Sequence, residues 1–338
     1  MAGRSRGTKR RRRPGAALLL CSLCAACASA PRYETLQHPP LVVQPPAPAP
    51  VAVPEPRIAL VLGGGAARGF AHIGVIRVLE QEQVPIQQIV GTSVGSLIGA
   101  IYASERNSFD LEWTAFQLQQ DDIFDFRLTN AVMGMGYARG EKLEAFVTEH
   151  VRAESIEQLK VPFAAVATDL NWGDRIVIDR GSVARAVRAS SAIPGVFEPV
   201  MHQGKLLVDG GLVDNVPVEV ALSRGADVVV AVDVGEKVGN TNIQGVVDVI
   251  LQSTNIMFAL NTALRRRGSE AVYVSPAVDG VGFLDFTQKK RCMEAGIDAM
   301  RKALPAVRAA VEAWKARKAA ELSAPPGGPV RPAAVPGS

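Results

Sequence analysis

The chain has 338 residues, 48% of them hydrophobic and 21% charged, with a formal net charge of +4 and four cysteines. Seven of the 37 Lys and Arg lie in the first 26 residues, which hold no acid, so the remainder carries 30 basic against 33 acidic residues, a net −3 that removes the electrostatic footprint of a nucleic-acid binder. Cys21, Cys24 and Cys27 crowd the same leader and only Cys292 lies in the body, which excludes an internal disulfide framework and a cysteine metal site.

Residues 1–15 are basic and small, and 16–26, AALLLCSLCAA, form an apolar run too short to span a bilayer as a stable helix. That order predicts a secretory signal over residues 1–26. The stretch Leu23-Cys24-Ala25-Ala26-Cys27 resembles a lipobox, with Cys24 where Leu is usual. The resemblance implies that Cys27 becomes a lipidated N-terminus, and Ala28 after it implies sorting to the outer membrane. Cleavage near Ala28 or Ala30 is the alternative, and the run of arginines admits a twin-arginine reading that the following residues fit poorly. The expected location is the cell envelope of a Gram-negative bacterium, with the domain in the periplasm.

Residues 27–56, rich in Pro, Ala and Val, predict a lipid-anchored, semi-rigid linker of extended polyproline character. A body over 57–320 is long enough for one large domain, and 321–338, again rich in Pro, Gly and Ala, predicts a disordered tail. Within the body, apolar runs predict strands over 57–62, 86–90, 161–168, 175–179, 206–208, 226–234 and 271–278. Helical patterns fall over 70–83, 96–104, 244–267 and 288–318. The alternation predicts an α/β sheet sandwiched between helices.

Between the first strand and helix lies Gly63-Gly64-Gly65-Ala66-Ala67-Arg68-Gly69. Backbone N–H groups of such a loop suit a dinucleotide pyrophosphate or the oxyanion of a tetrahedral intermediate. A nucleotide site wants an acidic residue at the end of the second strand, and that strand ends instead in Gly91-Thr92-Ser93. The oxyanion reading is favoured, with Gly64 and Gly65 as donors and Ala66 as a third candidate. Arg68 holds the loop, attracts a phosphate, or pairs at a helix end. Gly91-Thr92-Ser93-Val94-Gly95 is a G-x-S-x-G elbow between strand and helix, the turn that lifts a serine hydroxyl above a sheet. An incidental serine in a glycine turn is the alternative. Of the histidines, His38 lies in the linker and His72 before the serine, leaving His150 and His202 as bases only in an unusual topology. Asp209-Gly210-Gly211 after a short strand supplies a carboxylate able to take a serine proton if its pKa is raised by desolvation; an Asp-Gly hairpin turn is the competing reading.

Together GGGAARGFAHIGV (63–75), GTSVG (91–95), ATDLNWG (167–173), ASSAIPGVFEPV (189–200) and DGGLVDNVPV (209–218) resemble the patatin-like phospholipase family. The resemblance implies a three-layer α/β/α sandwich with a mainly parallel central sheet and a histidine-free Ser93–Asp209 dyad working through an acyl-enzyme. It implies an oxyanion loop at 63–69 that includes Gly63, Arg68 and Gly69, supporting glycines Gly91, Gly95, Gly210 and Gly211, and no cofactor or metal. The implied substrates are acyl esters of phospholipids or lysophospholipids at a membrane surface. Residues after about 280 are not diagnostic and are read as a lid or partner surface. A patatin-fold interaction module without catalysis is the second reading, and a nucleotide-dependent oxidoreductase the third.

Overall fold

A computed structural model describes residues 52–125, 136–235, 238–239 and 243–323. The leader, Cys27, most of the linker and residues 324–338 of the tail lie outside the described residues. The chain divides into a unit over 1–50 and a second over 51–338, and the second holds every described strand and helix. In chain order the strands are β1 (Ile58–Leu62), β2 (Gln88–Thr92), β3 (Gly136–Ala138), β4 (Phe163–Asp169), β5 (Arg175–Ile178), β6 (Gly195–Phe197), β7 (Val200–His202), β8 (Lys205–Asp209), β9 (Val228–Val232) and β10 (Val272–Val274). The helices are α1 (Phe70–Gln81), α2 (Val94–Glu105), α3 (Ser108–Gln117), α4 (Gln120–Ile123), α5 (Glu141–His150), α6 (Val183–Ser190), α7 (Gly211–Asp214), α8 (Val218–Ser223), α9 (Val246–Arg266) and α10 (Lys289–Ser323). The last is predicted as a helix over 288–318 and runs on through residues assigned to the tail.

The central sheet has the order β10-β9-β1-β2-β4-β8-β7, with β5 also on β4. The strands from β10 to β4 are parallel, and β5, β8 and β7 join antiparallel at the far side. The strands IALVL, FAAVATD and VVVAV are buried along their whole length, because helices cover both faces and no position is left for polar alternation. Leu60, Leu62 and Ile89 point into the larger core under α1, α2 and α10. Ala59, Val61, Val90, Val229 and Ala231 point the other way, into a smaller core under α8, as the two-residue period of a strand requires. The result is the three-layer α/β/α sandwich, with β2 and β1 at its centre.

The segment after residue 280 is part of this architecture rather than a lid. Its helix α10 buries Cys292, Met293, Met300, Leu304 and Val307 and crosses α1 backbone to backbone. A Cβ on Gly74 would stand 2.1 Å from the Met293 carbonyl oxygen, and one on Gly296 2.0 Å from that of Ala71. Gly296→Ala is therefore expected to push the two helices apart and cost about 3 kcal/mol, read as a lowered urea midpoint; an unchanged midpoint would show that the crossing tolerates a methyl group.

Candidate active site

The elbow is built where β2 turns into α2. Ser93 occupies the junction at φ 53° and ψ −128°, a backbone strain that L-residues adopt only under constraint from their surroundings. Three bonds supply the constraint. The Ser93 N–H donates to Ser190 Oγ at 3.0 Å, the Ser190 hydroxyl donates to the Val166 carbonyl at 2.5 Å, and the Ser93 carbonyl accepts from the Ser96 hydroxyl at 2.6 Å. The turn admits no side chain at its flanks, since a Cβ on Gly95 would lie 2.1 Å from the Leu62 carbonyl oxygen and one on Gly91 2.5 Å from that of Gly95.

Asp209 ends β8 opposite Ala167 on β4. Its backbone is stitched on both sides: Asp209 N–H to the Ala192 carbonyl at 2.9 Å, the Thr168 hydroxyl to the Asp209 carbonyl at 2.8 Å, and Gly210 N–H to the Ser190 carbonyl at 3.3 Å. The segment 190–192 of the ASSAIPGVFEPV motif thereby fixes Ser93 and Asp209 against one another. The carboxylate is fully buried. Oδ1 accepts the Gly211 N–H at 2.8 Å, while Oδ2 has no well-aligned partner. Burial pushes its pKa up to about 7, against the stabilising influence of the neighbouring Ser93 hydroxyl and the Gly211 N–H. The serine is thus near enough to act on the carboxylate without being locked to it in an aligned hydrogen bond, and alignment of such pairs commonly tightens only with substrate in place.

The glycine loop lies directly over the serine: a Cβ on Gly64 would stand 3.1 Å from the Cβ of Ser93. Of the three expected donors, Gly64 is already committed, its N–H reaching the Asn215 carbonyl at 3.3 Å. Gly65 and Ala66 have no acceptor for their N–H groups among the described residues. Ala66 also sits at φ 50°, so the loop as well as the serine holds a strained residue. Gly63 donates to the Val232 carbonyl at 3.0 Å, and Gly69 packs against Val94 of the elbow. Arg68 is fully buried, donating to the Val234 carbonyl and to Asn255 Oδ1, both at 3.2 Å, with its guanidinium 5.7 Å from the Phe283 ring centre. Its place is that of a brace for the loop, not of a surface charge that meets a phosphate.

Two residues without an expected role complete the loop's support. Asn215 is buried, accepts from Gly64 through its backbone, and donates from Nδ2 to the Gly64 carbonyl at 3.2 Å. His72 is buried, and burial lowers its pKa to about 4, so the neutral ring donates from Nε2 to the Gly63 carbonyl at 2.8 Å. Asn215→Ala is expected to cost about 1–2 kcal/mol in urea unfolding and to slow turnover at saturating substrate more than it weakens binding; equal kinetics with wild type would detach this clamp from the reaction. His150 rests its Nδ1 on the Phe146 carbonyl at 2.9 Å, and His202 sits on β7 at the sheet edge.

From Ser93 a narrow apolar channel of only about 50 Å³ leads between α2, α4 and the 191–197 turn. Leu97, Ile98, Leu118, Phe124, Leu143 and Phe286 are among its walls. Ser191 contributes a buried hydroxyl without a partner, and neither His150 nor His202 reaches this lining. No cluster of three or more His, Cys, Asp or Glu able to hold a metal occurs among the described residues. None of the described helices is long and apolar enough to cross a membrane.

A serine on a strained strand–helix elbow, a desolvated carboxylate two strands away across β4 and a loop with two unengaged N–H groups above them define the serine-elbow class of α/β sandwiches. Residues 60–222 match the family model described as patatin-like phospholipase, which assigns that segment to the family. An uncharacterized NTE family protein of Mycobacterium tuberculosis is 41% identical over 190 residues, which cover 55% of this chain and 52% of its own length. Lysophospholipase NTE1 of Mycosarcoma maydis is 39% identical over 180 residues, 53% of this chain and 10% of that protein. Human patatin-like phospholipase domain-containing protein 6 is 38% identical over 188 residues, 53% of this chain and 13% of that protein. The chain thus spans about half the length of the mycobacterial relative and a small part of the other two.

Proposed function

We propose that this protein is a serine-dependent acyl hydrolase that cleaves acyl esters of phospholipids or lysophospholipids. The observation that carries the reading is the buried Asp209 carboxylate, poised near neutral pKa beside the hydroxyl of a serine on an elbow. In this reading Ser93 attacks the ester carbonyl while Asp209 takes its proton. The N–H groups of Gly65 and Ala66 receive the oxyanion, a contribution of roughly 3–4 kcal/mol per donor. Asp209 returns the proton to the leaving alcohol, then activates the water that frees the fatty acid. The apolar lining of the channel matches an acyl chain in chemistry, although at about 50 Å³ it would have to widen to admit one, and the names of the fungal and human relatives point to the same substrate class.

The basic leader and the Leu23–Cys27 stretch support placing the protein at the envelope of a Gram-negative cell, tethered through Cys27 with the domain in the periplasm. Such a tether raises the effective concentration at a lipid surface. The reading is tested by incubating the purified chain with vesicles of diacyl phosphatidylethanolamine and with the corresponding lysolipid, and following free fatty acid. Release from either supports it. Release from neither, across several acyl esters, overturns it in favour of a patatin-fold interaction module.

A further inference from the structure

Helix α9 lies with its inner face clamped to the loop that carries the acid. The Asn261 side chain donates to the Leu212 carbonyl at 2.5 Å, Arg265 Nε donates to that of Val213 at 3.2 Å, and the Phe258 ring fills the space beside Gly211. Only Thr254, Phe258 and Thr262 are buried. The outer face is apolar: Val246 is 75% exposed, Leu260 57% and Leu264 61%, with Val249, Ile256 and Met257 also exposed. Exposed positions recur at 246, 249, 253, 256, 260 and 263, the alternating three-and-four spacing by which one helix packs along another. From Val249 to Leu264 there is no charged residue. An uncharged apolar ridge of about 24 Å, at 1.5 Å per residue, is more than an isolated domain normally leaves to water.

We propose that a second copy of this chain docks on this ridge, the two α9 helices running antiparallel about a twofold axis near their middle. The ends of the helix support that occupant. Its first turn carries Asp248, and its last turn and exit carry exposed Arg266 and Arg267, neither in an ion pair with a described carboxylate. Antiparallel pairing brings the acidic start of one copy towards the basic end of the other, and a twofold axis satisfies both ends at once. A lipid surface is the less suitable occupant, because α9 contributes no residue to the channel that starts at Ser93, so docking this ridge on a bilayer would not present the channel's lining to it. The inference does not rest on the chemistry proposed for Ser93. It implies that each copy buttresses the other's Asp209 loop through Phe258 and Asn261.

Sedimentation equilibrium of the full chain at tens of micromolar tests the proposal, with Leu260→Asp, Ile256→Asp and the double variant Arg266→Glu/Arg267→Glu, each checked for an unchanged circular dichroism spectrum. The expected result is a dimeric wild type, an apparent mass halved by either aspartate, and a dissociation constant raised about tenfold or more by the charge reversals. A monomeric wild type overturns the proposal. So does a dimer that both aspartates leave intact, which would put the interface elsewhere. A monomer whose binding to phosphatidylglycerol vesicles is lost in Leu260→Asp would overturn it in favour of a membrane-facing ridge.

Discussion

Ser93→Ala is expected to abolish covalent labelling by a fluorophosphonate and to lower acyl-ester turnover by at least about a thousandfold, leaving only what oriented binding and the oxyanion donors supply. The effect should be this large because no other described hydroxyl combines the elbow backbone with a carboxylate neighbour. Ser191 lines the same channel, but it sits at the end of α6 rather than on the elbow. The fold should be unaffected, since the bonds that hold the turn run through the Ser93 backbone and the hydroxyls of Ser190 and Ser96. A further readout is the acid itself. The Ser93 hydroxyl helps hold down the Asp209 pKa, so its removal should raise that pKa further, visible as a later ionisation in a carboxyl-selective infrared titration. Labelling that survives in Ser93→Ala would remove the serine from the reaction.

Asp209→Asn should separate catalysis from stability, losing activity while making the fold more robust at alkaline pH. The folded-state pKa near 7 lies above the ordinary aspartate value of 3.8 because burial disfavours the charge. The native state therefore binds the proton more tightly than the unfolded chain does, and wild-type stability falls as pH rises from about 4 to about 7, then levels off. At 1.36 kcal/mol per pKa unit, the cost of holding the carboxylate ionised at pH 8 is on the order of 4 kcal/mol. Asparagine keeps the shape and can still accept the Gly211 N–H, yet carries no charge to desolvate. In urea unfolding the variant and wild type should coincide near pH 4 and diverge by that amount at pH 8. Wild-type kcat/KM should rise with pH through an apparent pKa near 7, because only the ionised carboxylate can take the serine proton. Full turnover in Asp209→Asn would refute the dyad; stability curves that stay parallel from pH 4 to 8 would refute the desolvation.

How far the fold and the site could be read from the residues alone depends on the range of the interactions involved. The α/β alternation was legible because strands covered on both faces, such as VVVAV of β9, carry no polar position to blur them. The elbow and the DGG turn were legible because tight backbone turns demand particular residues at short fixed spacing. The clamps were not. Ser93 meets Ser190 across 97 positions and Gly64 meets Asn215 across 151, and although both partners stand within recognisable motifs, nothing local marks what either one bonds to. The engagement of the Gly64 N–H was hidden for the same reason, since its acceptor comes from that distant loop. Helix α3 escaped notice because Phe109, Trp113 and Phe116 face solvent, so its apolar spacing does not report a buried side. The lid reading of the C-terminal helix failed because the glycines that seat it, Gly74 and Gly296, look ordinary in their own neighbourhoods.

That seating has a bearing on how the molecule comes into being. Translation releases α1 early, whereas the turns of α10 that shelter it emerge only near the end of synthesis. Contacts so remote along the chain are slow to form, and a nascent polypeptide lacking them exposes sticky surface to chaperones and proteases. A nonsense codon anywhere between Asn215 and Lys289 should therefore leave no reduced-function fragment, even though Ser93, Asp209 and every glycine of the loop would already have been made.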